Sequence, residues 1–412
     1  MQTLSFAQSL DQSDPLAALK ERFVLPEGVI YLDGNSLGAL PKGVAARVQL
    51  AIEKEWGVGL IRSWNDANWY PAPLRVGQQI AQIIGAKPHE VVACDSTSVN
   101  LYKALGAALK LRPERKTIVC ERGNFPTDAY IVASLAEQFG VEVVYAEQQE
   151  VPAAIVAAGR DLAAVQLTQV NYKTGRIYDM ASVTELTHAQ GGLVIWDLAH
   201  SAGVLDIRLS ECKVDFAVGC GYKYLNGGPG APAFVYVRDD LLASIQQPLQ
   251  GWHGHKAPFA FTHDYEPHPG IDQMLVGTAS QLGLIAFETA LEAYDGVSLA
   301  AVRAKSMALG DFFIRLVDEQ LAGFDFGLAS PRQAQERGSQ VALTHSQGYA
   351  IMQAVIARGV IGDFRAPDIL RFGFAPLYVG FVDLWEAVKV IKDVMQGRLW
   401  DRPEFLQKKA VT

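Results

Sequence analysis

The sequence has few cysteines, no excess of basic residues and no long apolar run. Its four cysteines, at positions 94, 120, 212 and 220, lie far apart and show no CxxC spacing. This usage argues against a disulfide framework or a zinc site and is typical of reduced thiols in a cytoplasm. The net charge of -8 argues against a nucleic-acid partner, because phosphate backbones are bound by clustered lysine and arginine.

Membrane and secretory signals are also missing. Hydrophobic residues make up 50% of the chain, yet no apolar run is long enough to span a membrane. The first 23 residues do not combine a basic segment with an apolar one, so we expect no secretory signal and a cytoplasmic protein. A chain of 412 residues exceeds the usual size of a single core, which favours two domains.

Three motifs that would indicate other chemistry do not occur. There is no P-loop, and the glycines at 227, 228 and 230 precede a predicted strand, whereas a dinucleotide fingerprint opens a helix. A plain NAD enzyme is therefore not indicated. His253 and His255 have no carboxylate or cysteine at ligand spacing, so we expect no metal site.

Short apolar runs alternate with helical patterns between residues 90 and 237. Runs rich in Val, Ile and Leu are typical of strands buried on both faces, and helical spacing between them indicates crossover connections. We therefore predict an α/β fold with a mostly parallel seven-stranded sheet. The predicted strands cover residues 91–94, 117–121, 141–146, 163–170, 193–199, 216–221 and 233–237.

The pattern changes after Thr278. Two long helical patterns, a short strand, another helix, two strand-like runs and a last helix follow, which predicts a smaller α+β domain. We divide the chain into an N-terminal segment (1–45) that packs with the small domain, a large domain (46–282) and the small domain (283–412).

Three features at predicted strand ends carry candidate chemistry. Ser96-Thr97-Ser98 open a helix, Asp197 ends a strand, and Lys223 lies between a strand and a glycine-rich turn. Taken singly, they can be an N-cap, a turn cap and an ordinary strand-end lysine. Together they offer an anion site, a carboxylate for a pyridinium nitrogen and an amine, the three things that pyridoxal phosphate (PLP) requires.

Seven motifs are spread over nearly the whole chain: GNSLG (34–38), STSVN (96–100), FPTD (125–128), WDLAHSAG (196–203), GCGYKYLNGGPG (219–230), GWHGH (251–255) and LRFGFAPLYVGF (370–381). They resemble those of the kynureninases, fold-type-I PLP enzymes of the class V aminotransferase group. The resemblance implies the PLP-dependent transferase fold and hydrolytic Cβ–Cγ cleavage of L-kynurenine to anthranilate and L-alanine, a step of tryptophan catabolism linked in some organisms to NAD biosynthesis.

The resemblance also implies roles for matching residues. Lys223 would be the Schiff-base lysine, Asp197 the partner of the pyridinium nitrogen, and Tyr222 a phosphate ligand that also transfers a proton near the substrate carbonyl. Trp252 and Thr278 would reach the cofactor phosphate of the neighbouring subunit, which implies a homodimer with shared active sites. The other expected site residues are Thr97 and Ser98 at the phosphate, Phe125 stacked on the ring, Asp128, Thr168 and His200 lining the site, and Arg371 on the substrate α-carboxylate.

The aromatic end of the substrate points to the run WGVGLIRSWNDANWY (56–70), although ordinary packing explains most of its tryptophans. Animal kynureninases have a histidine in this region and favour 3-hydroxykynurenine. Here the first histidine is His89, so we expect a bacterial-type preference for unsubstituted kynurenine. We expect Trp64 and Asn35 to face the aryl ring.

Three alternatives stay open at this point. A cysteine desulfurase or selenocysteine lyase of the same fold needs a thiolate on a C-terminal loop, and no cysteine follows Cys220. The motifs disfavour an aminotransferase, whereas the chemistry of the candidate residues does not exclude that reaction. An inactive PLP-fold binding or scaffold protein would be expected to lose Lys223, Asp197 or Arg371, and all three are present.

Overall fold

The computed structural model describes residues 2–407, and its helices pack on a seven-stranded and a four-stranded sheet, beside two smaller two-stranded sheets. The α-helices are α1 (Leu4–Gln12), α2 (Val44–Leu50), α3 (Ser63–Asp66), α4 (Ala72–Ile83), α5 (Thr97–Leu111), α6 (Pro126–Phe139), α7 (Val151–Ala158), α8 (Met180–Ala189), α9 (Asp239–Leu242), α10 (Gln281–Leu291), α11 (Leu299–Gln320), α12 (Gly348–Ile356), α13 (Phe381–Gln396) and α14 (Pro403–Leu406). A π-helix (Ala51–Gly59) follows α2 directly.

The strands are short, as is usual for α/β proteins. They are β1 (Phe23–Val24), β2 (Ile30–Tyr31), β3 (Leu40–Pro41), β4 (Val91–Ala93), β5 (Thr117–Glu121), β6 (Glu142–Ala146), β7 (Leu162–Thr168), β8 (Leu193–Asp197), β9 (Phe216–Gly219), β10 (Phe234–Val237), β11 (Gly327–Leu328), β12 (Gln340–Thr344), β13 (Val360–Ile361), β14 (Asp363–Arg365) and β15 (Ile369–Gly373).

The large sheet has seven strands in the order β4-β10-β9-β8-β7-β5-β6. The neighbours from β9 through β6 pair in parallel, and β10 runs antiparallel to both β4 and β9. Every residue of β7 and β8 is buried, because helices cover both faces of the sheet. The predicted seven-stranded, mostly parallel sheet is therefore confirmed.

Local sequence signals explain where the helices around this sheet begin and end. The Ser96 hydroxyl accepts a hydrogen bond from the Val99 amide and caps α5. Pro126 occupies the first turn of α6, where its missing N–H costs nothing. Gly140 ends the same helix in the left-handed conformation, with φ of 63°. These caps fix the points at which the loops leave the sheet edge.

The small sheet has four antiparallel strands in the order β11-β12-β15-β14. Its register places Asp363 of β14 directly opposite Arg371 of β15. Helix α13 packs against α11 and α12 beside this sheet. The neighbouring strand positions thus bring a carboxylate and a guanidinium together inside the domain.

The N-terminal segment is attached to this part of the molecule. Strand β2 pairs in parallel with β13, and Asp33 forms a bridge with Gly373. The Asp11 carboxylate accepts hydrogen bonds from the first two amides of α13. The division into 1–45, 46–282 and 283–412 stays a prediction. Within the described residues, no helix is both long enough and apolar enough to cross a bilayer.

Candidate active site

A cavity lies where parallel strands of the large sheet end. β7 ends at Thr168 and β8 at Asp197, and the chain reaches Lys223 shortly after β9. The carboxyl ends of parallel strands share one edge of a sheet, so residues far apart in sequence meet there. The cavity is lined by Thr97, Ser98, Phe125, Thr127, Asp128, Thr168, Tyr172, Asp197, Ala199, His200, Tyr222 and Lys223. This set contains every residue that the sequence analysis predicted around the cofactor of the same subunit.

Lys223 is a half-buried amine in the wall of this cavity. Its Nζ lies 3.0 Å from His200 Nε2 and 5.8 Å from the centre of the Tyr222 ring. Burial lowers the pKa of His200 well below its usual value, and the charge of Lys223 adds to the shift. The imidazole is therefore neutral at neutral pH and can accept a hydrogen bond from the lysine ammonium.

Two buried carboxyl groups lie at the inner end of the cavity. Burial raises the pKa of Asp197, while Lys223 and the Ala199 amide, 2.6 Å from Asp197 Oδ1, oppose the shift. Burial and the charge of Asp197 raise the pKa of Asp128 well above its usual value. Asp128 Oδ2 also accepts a hydrogen bond from Gln166 at 2.9 Å. A cationic ring nitrogen placed here would compensate the desolvated carboxylate of Asp197.

The N-terminus of α5 also contributes to the cavity lining. Thr97 and Ser98 occupy the first helical positions, so their backbone N–H groups have no carbonyl partner within the helix. Asp95, which precedes the N-cap residue Ser96, has φ of 50° and is held by Lys103, whose Nζ lies 2.6 Å from Asp95 Oδ2. Free amides, hydroxyls and the helix dipole together favour an anion.

The residues in this cavity fit PLP. The anion site suits its phosphate, the desolvated Asp197 suits its ring nitrogen, and the Lys223 amine suits its aldehyde. These three groups belong to one cavity, although they come from different chain segments, which lie at or just beyond the ends of β4, β8 and β9. The roles of the individual residues stay predictions.

The sequence analysis missed Thr127, Tyr172 and Ala199 in the cavity lining, and Asn124, which contacts the lining residue Thr168. Tyr172 lines the cavity and packs edge-on against Phe125, with ring centres 5.2 Å apart. Asn124 donates its side-chain amide to Gln166 Oε1 at 3.1 Å and accepts from the Thr168 hydroxyl. Only the sequence positions of Asn124 and Tyr172 could have indicated them, because Asn124 precedes FPTD and Tyr172 closely follows β7 at the same sheet edge.

Arg371 is only 1% exposed on β15, and its guanidinium is already engaged. Its Nε donates to Asp363 Oδ1 at 2.7 Å, and its Nη2 donates to Asp363 Oδ2 and, at 3.2 Å, to Ser36 Oγ. Its Nη1 donates to the Tyr172 carbonyl. The sequence predicted a paired arginine but missed Asp363 as its partner, because the pairing arises from strand register.

Four other predicted residues do not line the Lys223 cavity within this chain. Asn35 is fully buried, with Nδ2 3.4 Å from Gln340 Oε1. Trp64 packs edge-on against Trp69, Trp252 stacks on His253 with ring centres 4.8 Å apart, and Thr278 lines a separate cavity near Asp95. Among residues 2–407, no group of three or more His, Cys, Asp or Glu side chains is suited to hold a metal ion.

Comparison with known proteins follows the same motifs. The family model described as the kynureninase C-terminal domain matches residues 302–391. Over 419 aligned residues the chain is 48% identical to the kynureninase of Burkholderia pseudomallei (strain K96243), with 100% of both chains covered. This chain belongs to the kynureninase family. The kynureninase of Pseudomonas fluorescens is 47% identical, again over 100% of both chains, so the kynureninase relationship extends over the whole molecule.

Solved structures outside the kynureninases share the fold. The apo structure of a cysteine desulfurase from Thermococcus onnurineus NA1 superposes with a TM-score of 0.75 at 18% identity and covers 95% of this chain and 98% of its own. A cysteine desulfurase from Escherichia coli gives a TM-score of 0.75 at 19% identity, with 92% and 98% covered. At such identities the likeness concerns the fold alone, and it confirms the predicted fold class of this kynureninase-family chain.

Proposed function

We propose that this chain is a PLP-dependent enzyme that hydrolyses L-kynurenine to anthranilate and L-alanine. The observation that carries the proposal is its 48% identity, over full length, to a protein named kynureninase. The cavity supports it, since an anion site, a buried carboxyl pair and an amine lie together in its lining. The family relationship thus defines the reaction, and the cavity supplies residues able to perform it.

The cofactor is held at three points. Thr97, Ser98 and Tyr222 bind the phosphate, Asp197 pairs with the ring nitrogen, and Lys223 binds the aldehyde carbon. When bound, PLP supplies an electron sink that stabilises negative charge at the substrate carbons next to the amino group. Asp197 serves this chemistry by keeping the ring nitrogen protonated, and its burial makes the pairing strong.

Lys223 moves the first proton. With PLP bound, its Nζ would take the proton from the substrate Cα and hold it beside the cofactor, which would accept the electrons left behind. His200 Nε2, 3.0 Å from Nζ, orients the amine toward the cavity. Because His200 is neutral at neutral pH, its Nε2 can accept a hydrogen bond from the Lys223 amino group.

Hydration of the substrate ketone requires a group that exchanges protons at the γ-carbonyl, and we assign Tyr222. Burial raises its pKa to about 12, so at neutral pH the phenol is protonated and can donate. Water adds to Cγ, the Cβ–Cγ bond breaks, the water oxygen leaves in anthranilate, and a proton is added at Cβ to give L-alanine. Full activity in Tyr222→Phe would refute this assignment.

The substrate is recognised at both ends. Arg371 binds the α-carboxylate, since an arginine fork matches two carboxylate oxygens in a way that lysine cannot. Asn35 and Trp64 face the aryl ring, and the lack of histidine before His89 favours unsubstituted kynurenine. Equal kcat/KM for kynurenine and 3-hydroxykynurenine would refute this preference.

The active enzyme is a homodimer with shared sites, and we propose a cytoplasmic location. Trp252 and Thr278 lie outside the Lys223 cavity of their own chain, which suits a role at the neighbouring subunit's cofactor. Trp252 is 39% exposed and lies near Phe259, which is 64% exposed. The location rests on four cysteines without a disulfide, a usage typical of reducing compartments.

The deciding experiment combines absorption and fluorescence on one sample. Purified protein supplied with PLP is expected to show a visible absorption band that changes on addition of L-kynurenine while anthranilate fluorescence grows. Lys223→Ala should lose both signals. A visible band without anthranilate would retain the fold and cofactor and refute the reaction, which would favour a lyase or aminotransferase. The absence of any band in the presence of PLP would refute the cofactor.

A further inference from the structure

Arg371 has little hydrogen-bonding capacity to spare. A guanidinium has five N–H bonds, and four contacts engage the Arg371 group: two with Asp363, one with Ser36 and one with the Tyr172 carbonyl. A two-pronged clamp on a substrate carboxylate needs two N–H bonds. At least one of the present contacts must therefore be released when substrate binds.

The contacts differ in how easily they can be released. Asp363 and Arg371 are register partners on adjacent strands, each about 1% exposed, so Asp363 cannot move away without disturbing the sheet. The Ser36 contact, 3.2 Å long and made from a turn, has a neutral hydroxyl as its acceptor, so it is weaker than the Asp363 contact of Nη2. Ser36 therefore occupies a position that a carboxylate oxygen can take.

Asp363 itself is held in place from several directions. Its Oδ2 accepts the Ser36 hydroxyl at 2.8 Å and lies 2.8 Å from Nη2 of Arg365. Burial alone would raise its pKa, but hydrogen bonds and charge from Arg371 outweigh burial, and the pKa is lowered. Asp363 is thus an anion at neutral pH with a fixed geometry against the Nε and Nη2 side of Arg371.

We propose that Asp363 is a positioning residue that fixes the Nε side of Arg371 and so turns its other edge toward the substrate α-carboxylate, which displaces Ser36. The inference rests on the proposed function, because it takes Arg371 as the carboxylate-binding residue. Asp363 touches neither substrate nor cofactor and acts through Arg371. If Asp363 instead competed with substrate for Arg371, removal of the Asp363 charge would raise the affinity for substrate.

The test compares Asp363→Asn with wild type under steady-state turnover of L-kynurenine. Loss of a hydrogen-bonded charge is expected to raise KM about tenfold or more, while kcat changes by less than about threefold. The second readout is competitive inhibition by the amine that corresponds to kynurenine without its carboxylate. Its inhibition constant should stay within about twofold of wild type, because it offers nothing for Arg371 to bind.

Further variants separate a positioning role of Asp363 from a structural one. Arg365→Met removes the other arginine that contacts Asp363 and is expected to change KM by less than about twofold, since the Arg371 pair remains. The double variant Asp363→Asn/Arg365→Met keeps the net charge of the cluster, because it removes one negative and one positive charge. It is measured in place of Asp363→Asn if the single variant does not fold. In an Arg371→Gln background, Asp363→Asn should have no further effect, because it would act only through the missing arginine.

Several outcomes would overturn the inference. These are a lowered or unchanged KM in Asp363→Asn, an equal loss of affinity for the carboxylate-free amine, or additive effects of the Asp363 and Arg371 substitutions. Failure of both the single and the charge-balanced variant to fold would also overturn it, since Asp363 would then serve stability. Absence of anthranilate with the wild-type protein would instead refute the proposed function, so the two failures are distinguishable.

Discussion

Asp33 is the residue whose charge state depends most on its surroundings among the groups near Arg371. It precedes the turn that carries Ser36, and its Oδ1 is buried without a hydrogen-bond partner. Burial raises its pKa to about 7, and the nearby carboxylate of Asp363 adds to this effect, while Arg371 opposes it. Asp33 is therefore a carboxyl group whose charge changes near neutral pH.

We predict that Asp33→Asn removes a pH dependence of stability. The folded state keeps the Asp33 proton up to about pH 7, whereas the unfolded chain loses it near pH 4, so the free energy of unfolding falls between these values as pH rises. The slope for one proton is about 1.4 kcal/mol per pH unit. Urea denaturation at several pH values measures it. An unchanged slope in the variant would contradict the prediction.

At the residue scale, the local sequence identifies side chains at the end of a strand. It does not identify the residues from neighbouring strands and loops that contact them. Lys223 and Asp197 were predictable, because each follows an apolar run at the edge where parallel strands end. The pairing of Asp363 with Arg371 depends on antiparallel register. Tyr172 enters the cavity through the path of a loop, which no periodicity describes.

At the scale of elements, helix α5 connects stability to the anion site. Its N-cap Ser96 lies next to Thr97 and Ser98, and its buried Lys103 reaches back to Asp95 and to the carbonyl of Met274. The start of the helix is therefore fixed from within the helix and from a distant segment. A fixed start keeps the free amides aligned for a phosphate.

We predict that Ser96→Ala lowers the free energy of unfolding by about 1 kcal/mol and also weakens PLP binding. Ser298→Ala is the matched control, because Ser298 is likewise exposed and caps α11 through one 3.3 Å contact with an amide. It should cost the same stability and leave PLP affinity unchanged. Denaturation curves and PLP titration of the apo protein measure the two effects. Equal PLP affinity in both variants would contradict a role for this cap in the site.

Element positions were largely predictable, and their ends less so. β5 spans the predicted residues 117–121, whereas β8 ends at Asp197 and not at residue 199. The apolar pattern continues past the strand because Leu198 and Ala199 remain buried after the backbone turns. When buried residues continue beyond the end of a strand, a prediction that is based on hydrophobicity therefore makes that strand too long.

At the scale of the whole molecule, two surface regions are unusually apolar. Ile61 is 77% exposed after the π-helix, and Phe261 is 83% exposed in the loop beyond Trp252. Exposed apolar surface of this kind is typical of association sites. The second region adjoins Trp252, one of the residues proposed to serve the neighbouring site.

We predict that two inactive variants restore activity when they share a dimer. Lys223→Ala and Trp252→Ala/Thr278→Ala are mixed, unfolded and refolded together, and anthranilate formation is measured. A mixed dimer would contain one site with an intact lysine and intact residues from its neighbour, so random pairing should give about one quarter of wild-type activity.

The control for this mixing experiment is Lys223→Ala with Asp197→Ala. Both residues line the cavity of one chain, so every site in a mixed dimer keeps a defect and no activity should return. Recovery in the control, or none in the test pair, would contradict sites that are shared between subunits.

The pairing of β2 with β13 has a consequence for synthesis on the ribosome. Ile30 emerges early, but its strand partner Val360 is translated more than three hundred residues later. The nascent chain must therefore carry an unpaired strand and the Asp33 turn while the large sheet is already complete. Arg371 emerges later still, so the part of the site that is proposed to bind the substrate carboxylate is assembled last.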